Sequence, residues 1–139
     1  MALKKTVKQM VDEATARIRT IPIDEAKTLL DDPDTLFVDI RDVRELNREG
    51  RIPGALHAPR GMLEFWIDPE SPYHKEVFAS GKKLIFFCAG GLRSALATKT
   101  AQDMGLDNVA HIEGGFGAWR KAGKPVQAPD AAPGETGKK

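Results

Sequence analysis

Apolar side chains recur at two different spacings along this chain, and the alternation between them predicts its architecture. Val7, Met10, Val11, Ala14 and Ile18 fall at helical spacing, and Thr6 with Gln9 fits a capping box. Residues 6–18 are therefore expected to form an amphipathic helix on the outside of the domain. After Ile21-Pro22, the run Asp24 to Leu30 carries acidic residues in what would be its first helical turn, and Asp31-Asp32-Pro33-Asp34 ends it. The period then changes. Leu36 to Ile40 is a short, largely apolar segment of the kind buried in a parallel sheet. Val43 to Glu49 predicts a short helix stopped by Gly50, and Ala55-Leu56-His57 a second, weaker strand. Lys83 to Phe87 is the clearest buried strand. Ser94 to Met104 is an alanine-rich helix with Gly105 as its C′ residue. Asn108 to Ile112 predicts another strand and Phe116 to Lys121 a last helix. This alternation predicts an α/β domain: a small parallel sheet of about five strands with helices on both faces.

Two segments depart from the pattern. Residues 59–82 form a long connection with aromatic content, three prolines and at least one short helix expected within it. Connections of that length in a compact domain often carry function. Residues 127–139 are mostly Ala, Pro, Gly and Lys with nothing to bury, and read as a disordered tail. The expected organisation is thus a helical extension over 1–19, a domain over 20–126 and a tail over 127–139.

Composition narrows the function classes. The chain has 139 residues, 41% hydrophobic and 29% charged, an ordinary globular balance. Twenty-one Lys and Arg against twenty Asp and Glu leave a formal charge of +1. No global field holds nucleic acid or an anionic membrane, so neither is an expected partner and any anion site must be local. The single cysteine, Cys88, excludes an intrachain disulfide and a multi-cysteine metal cluster. His57, His74 and His111 lack metal-ligand spacing, so neither a metal nor another cofactor is expected. The first residues carry lysines with no apolar segment after them, and Ala2 stands where N-myristoylation needs glycine. The longest stretch free of charged and strongly polar groups, Leu84 to Leu92, is too short to span a bilayer. A cytoplasmic protein is expected.

The chemistry concentrates in Leu84 to Ser94, LIFFCAGGLRS. A buried strand delivers Cys88 to its C-terminal end, where ligands sit in open α/β sheets. Gly90 and Gly91 can take positive φ and turn backbone N–H groups inward around one point. A helix starting near Arg93 directs its N-terminal partial charge there too. Such surroundings can lower a cysteine from about 8.5 to roughly 3.5–7.5. The expected result is a nucleophilic sulfur beside an anion cradle made by Ala89, Gly90, Gly91, Leu92 and Arg93.

Four stretches in order extend the pattern: Val38-Asp39-Ile40-Arg41 with Glu45; Gly50-Arg51-Ile52-Pro53-Gly54-Ala55 leading to His57; Cys88 to Ser94; and Ile112-Glu113-Gly114-Gly115-Phe116 with Trp119. Together they resemble the single-domain rhodaneses from about Ile21 to Val126. The resemblance implies a sulfurtransferase in which Cys88 takes a sulfane sulfur from thiosulfate or a persulfide donor. The resulting persulfide passes its sulfur to cyanide, a thiol or a protein acceptor. Four residues separate Cys88 from Arg93. Phosphatases and arsenate reductases related to that family have one residue more there, which widens the loop for a tetrahedral oxyanion. They usually also have a His before the cysteine, where this chain has Phe87. The alternative within the same fold is a non-enzymatic sulfur-carrier or sensing module.

Other residues read less sharply. Asp39 and Arg41 at a strand end are expected to form a structural ion pair, and Trp119 to be core. The resemblance implies a structural role for His57. Arg60, after His57-Ala58-Pro59, either faces the pocket as a second substrate-binding cation or is simply solvated. Phe65 and Trp66 either wall the pocket or pack the long connection.

Overall fold

The computed structural model describes residues 2–129. Its elements alternate from end to end. Helix α1 spans Val7–Arg17, β1 Thr20–Ile21, α2 Ile23–Leu29, β2 Thr35–Asp39, α3 Val43–Glu49 and β3 Leu56–His57. Then follow α4 Leu63–Ile67, β4 Lys83–Phe87, α5 Leu92–Asp103, β5 Val109–Ile112 and α6 Gly115–Lys121. Short 3-10 turns at Arg60–Met62 and Glu76–Ala79 lie in the long connection. The capping box is present at Thr6 and Gln9, and a second one, Asp42 with Glu45, starts α3.

All five strands are parallel, in the order β1-β5-β4-β2-β3. Every carboxyl end therefore opens on one side of the sheet. The strands at its centre are the most apolar, because both of their faces are covered. Along β4, Leu84 and Phe86 join one buried cluster with residues of α4 and α5, including Leu63, Ile67, Ala97 and Ala101. Ile85 and Phe87 join the other, with Ala26 of α2 and Phe116 and Trp119 of α6. Helices thus cover both faces, as the alternation predicted. No helix among the described residues is long and apolar enough to cross a membrane.

The differences from expectation lie at element ends. β1 has two residues and no periodicity to announce it; its pairing with His111 and Ile112 on β5 makes it a strand. Helix α5 starts at Leu92, two residues before its expected start, because Gly91 takes a left-handed φ of 103° and caps it. At the other end, Gln127 is not loose. Its N–H and C=O exchange hydrogen bonds of 2.8 and 3.0 Å with Arg51, so the ordered chain runs past the expected boundary at Val126. Residues 130–139 of the expected tail lie outside the described residues.

Candidate active site

Cys88 follows directly on β4 and is 1% exposed. Its Sγ accepts the backbone N–H groups of Gly91 at 3.1 Å and Ser94 at 3.4 Å, and lies 3.6 Å from Ser94 Oγ. Two inward N–H groups and the first turn of a twelve-residue helix surround one sulfur. Negative charge on that atom is stabilised by these dipoles. Of the two glycines in the loop, only Gly91 takes a positive φ.

What holds the loop in this shape is α6. The N–H of Phe116 donates to the carbonyl of Cys88 at 2.8 Å, and that of Gly117 to the carbonyl of Ala89 at 2.9 Å. Those two bonds fix the peptides at Cys88 and Ala89, from which the chain turns to bring the N–H groups of Gly91 and Ser94 to the sulfur. The approach requires Gly115, which has φ +63°; a Cβ there would stand 2.5 Å from the Cys88 carbonyl oxygen.

Arg93 sits on the first turn of α5. Its guanidinium makes a bidentate pair with Glu45 of α3, at 2.8 and 3.0 Å. Those hydrogen bonds hold Glu45 below its ordinary carboxylate range, against the opposing effect of burial. The same pair favours the charged form of Arg93, with a smaller electrostatic contribution from the Cys88 sulfur. Glu45 also accepts from the backbone N–H of Asp42 at 3.2 Å, so the α3 capping box and the Arg93 clamp share one carboxylate.

Behind the sulfur the sheet is polar in one place. Ser94 Oγ lies 2.9 Å from His111 Nδ1, and His111 Nε2 lies 2.9 Å from Thr20 Oγ1. Ser94 and His111 are both buried. Sequence reasoning passed over these two residues and over Glu45 as a site residue. Ser94, next to Arg93 on a helical turn, and the Asp42-Glu45 capping pair were the available signals. His111 carried none, because its neighbour Ser94 is brought to it by the fold.

The remaining candidates are placed elsewhere. Arg60 pairs with Glu64 at 2.8 Å and faces Thr100 of α5 at 3.5 Å. It lines a cavity of about 240 Å³ with Lys5, Met10, Glu13, Leu96, Lys99 and Thr100, none of them in the 88–93 loop. Phe65 is half exposed and meets Tyr73 edge to face, while Trp66 packs against the core under Lys75. Leu92 points outward, 65% exposed, into an apolar hollow with Val7 and Val11 of α1.

Asp39 and Arg41 form a fully buried pair. Arg41 Nε and Nη2 donate to the carboxylate at 3.0 and 2.9 Å, and Nη2 also donates to the Gly50 carbonyl at 2.8 Å. The guanidinium stacks over Phe116 at 4.2 Å, which ties β2 to α6 beneath the loop. His57 Nε2 lies 2.7 Å from the Arg41 carbonyl oxygen. Among the described residues, no group of three or more His, Cys, Asp or Glu is placed to hold a metal ion.

Comparison with known proteins shows the family to which the domain belongs. The family model of the Rhodanese-like domain matches residues 22–122. A mouse thiosulfate sulfurtransferase/rhodanese-like domain-containing protein 3 is 30% identical over 68% of the chain, which spans 64% of that relative. A sulfurtransferase of Allochromatium vinosum is 30% identical over 76% of the chain and 90% of its own length. A Rhodopseudomonas palustris protein of unknown function, described as a possible tyrosine phosphatase, shares 56% identity with a TM-score of 0.89. That match covers 91% of this chain and 98% of the other.

Proposed function

Since the chain belongs to the rhodanese-like domain family, we propose that it transfers a sulfane sulfur from thiosulfate or a persulfide donor to a thiophilic acceptor through a Cys88 persulfide. Sulfur transfer is the activity carried by curated relatives of this family. The observation that carries the finer reading is the Cys88 sulfur itself, held by the N–H groups of Gly91 and Ser94 in a loop only four residues long before Arg93.

The steps follow from that geometry. The Cys88 thiolate attacks the sulfane sulfur of thiosulfate, forming an S–S bond while the bond to the SO₃ group breaks and its electron pair leaves as sulfite. The terminal sulfur of the persulfide is then attacked by cyanide or a thiolate, and the Cys88 thiolate leaves. Loop N–H groups between Ala89 and Arg93 stabilise charge on the transferred sulfur, and the Glu45-clamped Arg93 attracts the anionic donor. Arg60, paired with Glu64 and set in a cavity that no residue of the 88–93 loop lines, takes no part in binding the donor. A cytoplasmic setting, with its supply of thiols and persulfides, fits the free cysteine.

The neighbour described as a possible tyrosine phosphatase favours a second reading. The short loop argues against it, because each residue removed tightens the ring of N–H groups that would surround a phosphoryl group. Intact mass after incubation with thiosulfate and removal of the excess decides. The expected result is a gain of one sulfur atom that is lost on adding cyanide and absent in Cys88→Ser. No gain, together with hydrolysis of an aryl phosphate that depends on Cys88, would overturn sulfur transfer in favour of the phosphatase. A stable gain that no acceptor discharges would assign a carrier rather than an enzyme.

A further inference from the structure

His111 is the one histidine whose two ring nitrogens both meet hydroxyl side chains, Ser94 on one side and Thr20 on the other. Ser94 Oγ in turn lies 3.6 Å from the Cys88 sulfur. The four side chains form an unbroken line from the reactive atom to the edge strand β1, where Thr20 is only half-buried. We propose that His111 is a positioning residue that, with Ser94 and Thr20, carries the Cys88 thiol proton away beneath the sheet while the mouth of the loop is occupied by donor. The inference rests on the reading of Cys88 as the reactive thiol.

Each member of the line can both give and accept, so the line has two polarities. In the first, the Cys88 S–H donates to Ser94 Oγ, the Ser94 hydroxyl to His111 Nδ1, and Nε2–H to Thr20 Oγ1. In the second, the Thr20 hydroxyl donates to Nε2, Nδ1–H to Ser94 Oγ, and the Ser94 hydroxyl to a thiolate. Passing from first to second moves one proton across each bond, and the proton originally on Thr20 leaves to water. The imidazole is neutral before and after; only its tautomer changes. One polarity therefore suits the thiol and the other the thiolate or persulfide, and no buried charge is created on the histidine at either end.

The surroundings favour that neutral exchange. Burial alone moves the His111 imidazole, downward from its ordinary value of 6.5. Arg93, at the sulfur end, is held by Glu45, and Arg19, next to Thr20, is paired outward with Glu25. On the α5 side the ring meets Ser94, whose hydroxyl has a competing acceptor in the Gly91 carbonyl at 3.3 Å. The His111 nitrogen, at 2.9 Å, is the nearer of the two. When Nδ1–H donates to Ser94 Oγ, the hydroxyl proton no longer has the ring as acceptor and turns to the thiolate, a stronger acceptor than the neutral carbonyl.

The test needs no variant to begin. ¹⁵N spectra of the His111 ring in the wild-type protein, recorded across pH with no sulfur donor present, report the tautomer. Iodoacetamide alkylation rates report the thiolate. The expected result is a change from Nε2–H to Nδ1–H at the same midpoint as Cys88 alkylation. A tautomer that stays constant through that midpoint, or a ring that becomes imidazolium, overturns the proposal. Because this readout involves no sulfur transfer, its failure is separate from failure of the persulfide reading. Two variants then locate the pathway. His111→Asn, which cannot exchange donor and acceptor at one atom, and Ser94→Ala should each slow alkylation at pH 7 by about tenfold, the scale of one charge-assisted hydrogen bond. If His111 acts through Ser94, the double variant is no slower than Ser94→Ala alone. Multiplying effects, or an alkylation profile unchanged in His111→Asn, overturn the assignment.

Discussion

Substituting Gly115 by alanine tests how the loop around Cys88 is held. The added Cβ would stand 2.5 Å from the Cys88 carbonyl oxygen and 2.9 Å from the carbonyl carbon and oxygen of Ala89, where ordinary contact begins at 3.4 Å. All three obstacles are backbone, so no side chain can swing aside. Either the loop or α6 must retreat by nearly 1 Å. Retreat breaks the two hydrogen bonds from Phe116 and Gly117, worth about 0.5–1.5 kcal/mol each. Alanine at positive φ adds about 1–2 kcal/mol. The expected loss is about 2–5 kcal/mol, a large part of the ~5–15 kcal/mol that stabilises a domain. Since those carbonyls anchor the start of the loop that carries the Gly91 N–H, sulfur transfer should fall by about a hundredfold, as for a 1 Å misplacement. Gly54→Ala is the control: φ is +79° with nothing within 4 Å of the added carbon, so only the conformational strain remains. Urea unfolding gives stability and iodoacetamide alkylation the state of the thiol. Equal effects of the two substitutions on alkylation would refute the view that α6 shapes the loop.

Arg93→Ala should lower kcat/KM for thiosulfate by roughly ten- to a hundredfold, with Arg93→Lys recovering part, because a lysine cannot reproduce the bidentate fork to Glu45; steady-state kinetics with a less charged donor should show a smaller loss. Glu45 is held below its ordinary value of 4.5, so its pairing stabilises the fold above that pH and is lost as pH falls through the depressed value. Glu45→Gln should therefore flatten the decline in stability below about pH 5. With Arg93 43% exposed, the effect is about 0.5–1 kcal/mol, measured by urea midpoints across pH. Asp39→Asn removes the carboxylate charge and one of its two acceptor oxygens, leaving the buried Arg41 guanidinium with one amide oxygen, the Gly50 carbonyl and the Phe116 ring; denaturant unfolding should show a loss of about 3–5 kcal/mol.

Much of this protein is dictated locally. The apolar run Leu84 to Phe87 suits a strand covered on both faces, and the alanine-rich run that begins near Ser94 suits a helix after it. Any strand–glycine–helix arrangement of that kind puts Cys88 at a carboxyl end among backbone N–H groups. The candidate nucleophile was therefore legible from consecutive residues. What local pattern does not contain is the identity of partners brought together from distant strands. Glu45 meets Arg93 across 48 positions, and His111 meets Thr20 across 91. Thr20–Ile21 is too short for periodicity and becomes a strand only because β5 offers it hydrogen bonds. Arg60, for which the sequence left a pocket-facing and a solvated placement open, is turned to Glu64 one helical turn away. Side-chain pairing is decided by which elements lie adjacent after folding, and the parallel order β1-β5-β4-β2-β3 sets that adjacency. Local pattern thus fixes most of the elements and the candidate nucleophile, while the adjacency of distant strands and helices settles what stands beneath that sulfur and what clamps Arg93.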